Sequence, residues 1–235
     1  MFANVIIVDT EEHKKYWTSW FLVDKNKIHT VYLGVNDKLL HPIRYTDSQE
    51  GKKKNKILVH FHGKYIPLQG VPKIIEAANL CKENKRIHFR LIGSGQDSYK
   101  VEKLVSKFKL TNIEFIGRVP LTRLNEYMAE ADIVLGIFGN TSKAERVIPN
   151  KVYEGLMAGK AVITMGTPAI KEIFSEDEIY MVKGDPRSMA RAIMKLTENE
   201  NLRREFAEKG YKRVMNYTPV FVAKSLTNVL KTLSK

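Results

Sequence analysis

Apolar residues along this chain fall into short continuous runs, separated by longer stretches in which they recur every three or four positions. The short runs read as buried strands: NVIIVD (4–9), IHTVYLG (28–34), KILVHFHG (56–63), IHFRLIGSGQ (87–96, running into a glycine loop), NIEFIGRV (112–119), DIVLGIFG (132–139), AVITMG (161–166) and IYMVKG (179–184). The periodic stretches predict helices over 70–84, 98–110, 121–131, 149–160, 185–199, 200–216 and 218–234, with a short one around 169–174. Within 70–84, Ile74, Ala77, Ala78 and Leu80 are expected to form one apolar face. Pro219 is expected to separate the last two helices or to sit in the first turn of the second.

Strands alternating with helices argue for a parallel α/β sheet, and strands this uniformly apolar need helices on both faces. The pattern breaks at TDSQEGKKKNK (46–56). Residues 46–55 are read as a solvated linker between residues 1–45 and a unit spanning 56–216, with a last helix in 217–235. The alternative reading of the lysine run is a phosphate or membrane patch.

Length and composition narrow the class. A chain of 235 residues with 43% hydrophobic and 28% charged residues can bury a large core and is not wholly disordered. The lone cysteine, Cys81, excludes a disulfide framework and a multi-cysteine zinc cage, and fits a reducing cytoplasm. No apolar run approaches the roughly 20 residues that span a bilayer. MFANVIIVDTEEHKK has neither a basic n-region nor a small-residue cleavage site, so no signal peptide is expected. The net charge of +13 points to an anionic partner, whether nucleotide, nucleic acid or acidic membrane. Residues 186–235, with 11 Lys/Arg against 4 Asp/Glu, carry +7 of it.

In open parallel sheets ligands bind at the carboxyl ends of strands, near the point where strand order reverses. Those ends carry Gly63-Lys64, Gly93-Ser94-Gly95, Gly117-Arg118-Val119, Gly139-Asn140 and Gly166-Thr167. Glycine there permits a close approach of backbone to ligand, although each one alone is also ordinary turn chemistry. LIGSGQ is not a G-x-G-x-x-G fingerprint, and no Walker lysine motif is present, which disfavours a nicotinamide enzyme or a P-loop nucleotidase. RVIPNKVYEGLMAGKAVIT (146–164) is more informative. Pro149 opens a helix, the amides of Asn150 and Lys151 are then free to meet an anion, and the Lys151 ammonium adds a full charge. Glu154, one turn later, can accept hydrogen bonds from paired sugar hydroxyls or can simply be a first-turn glutamate stabilised by the helix dipole.

The segment IPNKVYEGLMAGKAVIT resembles the nucleotide-sugar signature of the retaining family 4, or group 1, glycosyltransferases. FHGKYIPLQGVPKIIEAA, FRLIGSGQ, NIEFIGRVP, LNEYMAEADIVLGIF and KGDPRSMARAI follow the same family's pattern in order, so the likeness covers residues 56–216. ANVIIVDTEEHKKY and KIHTVYLGVNDKLLHP resemble the end of its N-terminal domain and the connection between domains.

The resemblance implies the C-terminal, Rossmann-like half of the two-domain GT-B architecture. It also implies transfer of a sugar, with retention, from a nucleoside diphosphate sugar to a glycan or glycolipid acceptor. An N-terminal acceptor domain would be the further partner. It places Glu154 on the nucleotide ribose, and Lys64 and Lys151, with the amides of Asn150 and Lys151, on the diphosphate. Val119 after Arg118 would lie at the base, and Gly63, Gly93 and Gly95 would be donor-site glycines. A departing diphosphate develops negative charge that amides and lysines can stabilise, so neither metal nor cofactor is expected. Two positions depart from the family pattern: Arg146 stands where the first glutamate of E-x7-E touches the donor sugar, and Gln69 where the phosphate loop carries its second basic residue. Lys64, Lys151 and Arg146 are the candidates to compensate.

His60 and His62 point to one face of their strand, as a metal pair lacking a third ligand, a structural pair or a wall of the donor site. Cys81 is expected to be a packed thiol. Trp17 and Trp20 lie on one helical face, against a further domain or the core. Asp9, Glu11 and Glu12 read as surface charges. The rival functions are a non-catalytic basic module that docks on acidic membrane or nucleic acid through 186–235, and a sugar-nucleotide 2-epimerase. The preferred reading expects no nucleic-acid partner and a cytoplasmic protein, with peripheral contact to the inner face of the membrane.

Overall fold

The structure, a computed structural model, describes residues 3–43 and 56–233. The lysine-rich linker therefore lies outside the described residues. The chain opens with β1 (Ile6–Val8), α1 (Glu11–Phe21) and β2 (Ile28–Thr30), and β1 pairs with β2 in parallel. From residue 56 it alternates: β3 (Ile57–His62), α2 (Val71–Cys81), β4 (Ile87–Ile92), α3 (Ser98–Phe108), β5 (Ile113–Ile116), α4 (Leu121–Glu130) and β6 (Ile133–Leu135). There follow α5 (Asn150–Met157), β7 (Ala161–Met165), α6 (Pro168–Lys171), β8 (Tyr180–Val182), α7 (Pro186–Glu198), α8 (Glu200–Val214) and α9 (Pro219–Leu233).

β3 to β8 form one sheet in the order β5-β4-β3-β6-β7-β8, every pair parallel. This is the doubly wound, Rossmann-like order, which reverses between β3 and β6 and opens a crevice at their carboxyl ends. The period of two along each strand sorts side chains between two layers. Ile133, Leu135 and Ile163 join Val59, Phe61, Phe89 and Leu91 in a core covered by α2, α3 and α7. Val134 and Val162 point the other way, into a core with Met128 of α4, Val152 and Leu156 of α5, and Ile170 of α6. Full burial of one such side chain stabilises by about 1.5–3 kcal/mol, so both faces hold the sheet.

Several elements differ from their expected bounds. The strand expected over 28–34 ends at Thr30, and the one expected over 132–139 ends at Leu135. Val31 and Gly136 still donate to the neighbouring strands, but a few residues on the chain bonds elsewhere: Val35 N–H donates to the Tyr217 carbonyl (3.0 Å) and Phe138 N–H to the Gln69 carbonyl (3.1 Å). Leu80 is 48% exposed and lies off the buried face of α2; Cys81 takes its place, because seven residues beyond Ile74, not six, complete two turns. Cys81 is packed as expected, and burial pushes its thiol up to about 12. Pro219 is the first residue of α9. No helix among the described residues is long and apolar enough to cross a membrane.

The α1 helix was not among the helices expected from periodicity. Thr10 caps it, its hydroxyl accepting from His13 N–H (3.0 Å). The Glu172 carboxylate just beyond α6 accepts from Glu11 N–H and Glu12 N–H, each at 2.8 Å, a second anion at the positive end of α1. Glu12 in turn pairs with Lys15 and Asp9 with His13, so these acids are not simply solvated charges.

Candidate functional site

The carboxyl ends of β3, β4 and β5, on one side of the point where strand order reverses, hold most of the residues singled out above. β3 delivers His62 and Gly63 to its carboxyl end, β4 delivers Ile92 and Gly93, and the loop after β5 delivers Arg118 and Val119. With Lys64, Ser94, Leu121 and Leu124 these line a cavity of about 300 Å³. The backbone needs glycine at two points. Gly93 has φ of +122°, and a Cβ there would sit 2.1 Å from the Gly63 carbonyl oxygen. Gly63 has φ of +139°, and its Cβ would come within 3.1 Å of the Lys151 Nζ. Both are conformations that side chains resist; Gly93 brings the ends of β3 and β4 together, and Gly63 leaves room for the Lys151 side chain.

α5 enters from the opposite half of the sheet. Pro149 caps it in extended conformation, with φ −71° and ψ 141°, and no side chain caps its amino end. Asn150 is exposed at that end. Lys151 is 5% exposed, donates to the Gln69 side-chain oxygen and lies 4.7 Å from the Phe61 ring centroid. Burial pulls its ammonium down to about 7, against which the nearby Glu154 carboxylate acts only weakly.

Glu154 reaches across the crevice: His62 Nε2 donates to its Oε2 at 2.7 Å. His60 Nε2 lies 3.1 Å from His62 Nδ1. Desolvation, with His62, Arg90 and Lys160 adding to it, holds the His60 imidazole well below its ordinary range, so it is neutral. The histidine pair is thus both a buried structural pair and, through His62, a wall of the cavity. Among the described residues no group of three or more His, Cys, Asp or Glu could hold a metal ion.

Gly63, Lys64, Gly93, Arg118 and Val119 meet in one cavity, with Glu154 joined to it through His62 and with Lys151 and Gln69 behind Gly63. Two residues stand apart. Gly95 N–H donates to the Ser98 hydroxyl (3.0 Å) at the start of α3. Arg146 stacks its guanidinium 3.8 Å from the Tyr16 ring centroid of α1, and its carbonyl accepts from the Thr10 hydroxyl at 2.6 Å. Sequence reasoning missed Leu121 and Leu124 as cavity walls; their spacing of three at the start of a helix that follows a strand-end loop was the available signal.

The family model for glycosyl transferases group 1 matches residues 44–213. The chain belongs to the group 1 glycosyltransferases. A relative in Methanocaldococcus jannaschii, an uncharacterized glycosyltransferase, is 25% identical over 212 residues, covering 88% of this chain and 53% of the relative. The chain spans about half the length of the curated relatives it matches first. Anabaena HepE, solved in complex with UDP and glucose, superimposes with a TM-score of 0.82 at 18% identity, over 100% of this chain and 64% of that one. The C-terminal domain of a group 1 protein, LpcC, from Francisella tularensis gives a TM-score of 0.67 at 22% identity, covering 79% of this chain and all (100%) of that domain. This group 1 chain accordingly has the C-terminal α/β domain of the GT-B architecture as its main body.

Proposed function

We propose that this chain is the donor-binding half of a glycosyltransferase that moves a sugar, with retention, from a nucleoside diphosphate sugar to a glycan or lipid acceptor. The observation that carries the reading is the Glu154 carboxylate, fixed at 2.7 Å by His62 beside a cavity whose glycine backbone admits a flat ligand. Glu154 takes the ribose hydroxyls, and the base lies toward Val119 and Leu121. The diphosphate meets Lys64, Lys151 and the uncapped amides of Asn150 and Lys151. As the glycosidic bond breaks, charge grows on the diphosphate, and preorganised donors stabilise it there without a metal. HepE's complex with UDP and glucose supports this class of ligand.

Transfer also needs a surface that holds the acceptor. The two-stranded parallel β1–β2 pair is too small to be a stable sheet alone. Trp20, at 76% exposed, and Leu22, at 87%, lie on α1 and at its end, between the two strands in sequence. Both features fit an N-terminal acceptor domain packed there. The basic C-terminal helices fit peripheral contact with an acidic membrane on the cytoplasmic side.

Calorimetry with uridine, guanosine, adenosine, cytidine and thymidine diphosphates tests the reading. At least one should bind, and Glu154→Ala should weaken it about tenfold or more. No binding by any of the five, or binding indifferent to Glu154→Ala, would overturn it.

A further inference from the structure

We propose that His62 is a positioning residue for Glu154, and that His60 locks His62 in the one tautomer able to do this. The inference rests on the donor-site reading above and adds to it a residue pair outside the phosphate and ribose contacts.

The hydrogen bonds of this row can run in only one direction. An ionised carboxylate only accepts, so His62 Nε2, 2.7 Å from Glu154 Oε2, carries the proton. The other nitrogen of His62, Nδ1, lies 3.1 Å from His60 Nε2 and accepts from its N–H. His60 is left with an unprotonated Nδ1, which is buried without a partner. The full row is His60 Nε2–H to His62 Nδ1, and His62 Nε2–H to Glu154 Oε2, with every proton directed toward the crevice. A reversed row would aim a proton of His60 into a buried space that offers no acceptor, at the cost of an unsatisfied donor.

The row also crosses the fold at the useful place. His60 and His62 belong to β3 and Glu154 to α5, which belongs to the other half of the sheet. His62 therefore ties the carboxylate to the same strand end that shapes the cavity through Gly63. One oxygen of Glu154 is committed to His62, and the other is left to a ligand hydroxyl. Without that tie the glutamate side chain regains rotamers that a ligand must then restrict.

The test uses the whole 235-residue chain. Long-range proton–nitrogen NMR on the free protein should show the hydrogen of each imidazole on Nε2, and Glu154→Ala should shift the His62 signals most. In calorimetry, His62→Phe should weaken the bound nucleoside diphosphate about tenfold while inorganic pyrophosphate changes by less than about twofold. His62→Gln, which can place an amide N–H near the lost Nε2, should recover most of the loss. In a Glu154→Ala background His62→Phe should add nothing.

Equal losses for pyrophosphate and nucleotide, additive losses in the double variant, or an Nδ1–H tautomer at His62 would each overturn the proposal. Should the unaltered chain bind no nucleoside diphosphate, the donor-site reading fails. The tautomer spectrum and its response to Glu154→Ala then decide the row by themselves.

Discussion

The buried Lys151 ammonium donates to the side-chain oxygen of Gln69 and lies 4.7 Å from the Phe61 ring centroid. By the family resemblance Gln69 stands where the phosphate loop carries its second basic residue; on that reading α5 supplies the cation that Gln69 does not. Burial brings that ammonium to about 7, so much of it is neutral above that pH. An arriving diphosphate would favour the charged form. Binding of a nucleoside diphosphate at pH 8 should therefore take up a proton at Lys151, and less at pH 6. Calorimetry in two buffers of different ionisation enthalpy reads this directly; equal heats in both buffers at pH 8 would refute it.

The same group sets a stability slope. Its folded value of about 7 lies below the ordinary lysine value of 10.5, so between them the unfolded chain binds more protons than the folded one. Stability from this group consequently rises with pH across that window, and its full penalty is present below about 7. Replacing Lys151 with Met should flatten the rise in denaturation midpoint between pH 7 and 10 relative to the parent chain. A parent and variant with parallel pH profiles would count against a buried, depressed lysine.

Gly93 and Gly117 offer a matched pair. At Gly93 a Cβ would meet the Gly63 carbonyl at 2.1 Å from a φ of +122°, whereas at Gly117 nothing lies within 4 Å. Gly93→Ala should cost about 1–3 kcal/mol of stability and abolish nucleotide binding by parting β3 from β4. Gly117→Ala should stay within about 0.5 kcal/mol of the parent. Chemical denaturation of both variants checks this, and similar midpoints would mean that the strand ends are not in close contact.

The residues that sequence alone could place are those whose type and position carry the chemistry together. Lys64, Val119 and Glu154 follow from strand ends and a helix start, and the apolar strands prescribe a sheet covered on both sides. The α1 helix was obscured because Glu11 to Lys15 are all polar or charged; its signal was the Thr10 cap, not an apolar stripe. The His62–Glu154 bond joins residues 92 apart, so no local pattern encodes it. The family resemblance puts Arg146 at the position of a sugar-contacting glutamate. Its long side chain instead reaches Tyr16, a contact set by how the first segment docks.

That docking has two contacts at Arg146 and two at Glu172. Thr10→Val removes both the cap on His13 N–H and the bond to the Arg146 carbonyl, and should loosen α1 by about 1–2 kcal/mol. Arg146→Ala, which removes the guanidinium from Tyr16, should loosen the same helix. Hydrogen exchange should accelerate across residues 11–21 in both variants and stay unchanged in the β3–β4 pair. Faster exchange spread evenly over the chain would mean that these contacts support global stability instead of the joint.

Leu121 tests the base end of the cavity with little risk to the fold. It opens α4, is 54% exposed and lines the cavity, while Leu124 behind it is buried. A glutamate at 121 leaves the packed face of α4 alone, so stability should change by less than about 0.5 kcal/mol. A base resting on this leucine would lose apolar contact and meet a carboxylate, and nucleoside diphosphate affinity should fall about three- to tenfold. Pyrophosphate, which has no base, should bind Leu121→Glu nearly as well as the parent chain. The decisive quantity is the ratio of the two affinities: a ratio unchanged by the substitution would move the base elsewhere, and with it the assignment of Val119.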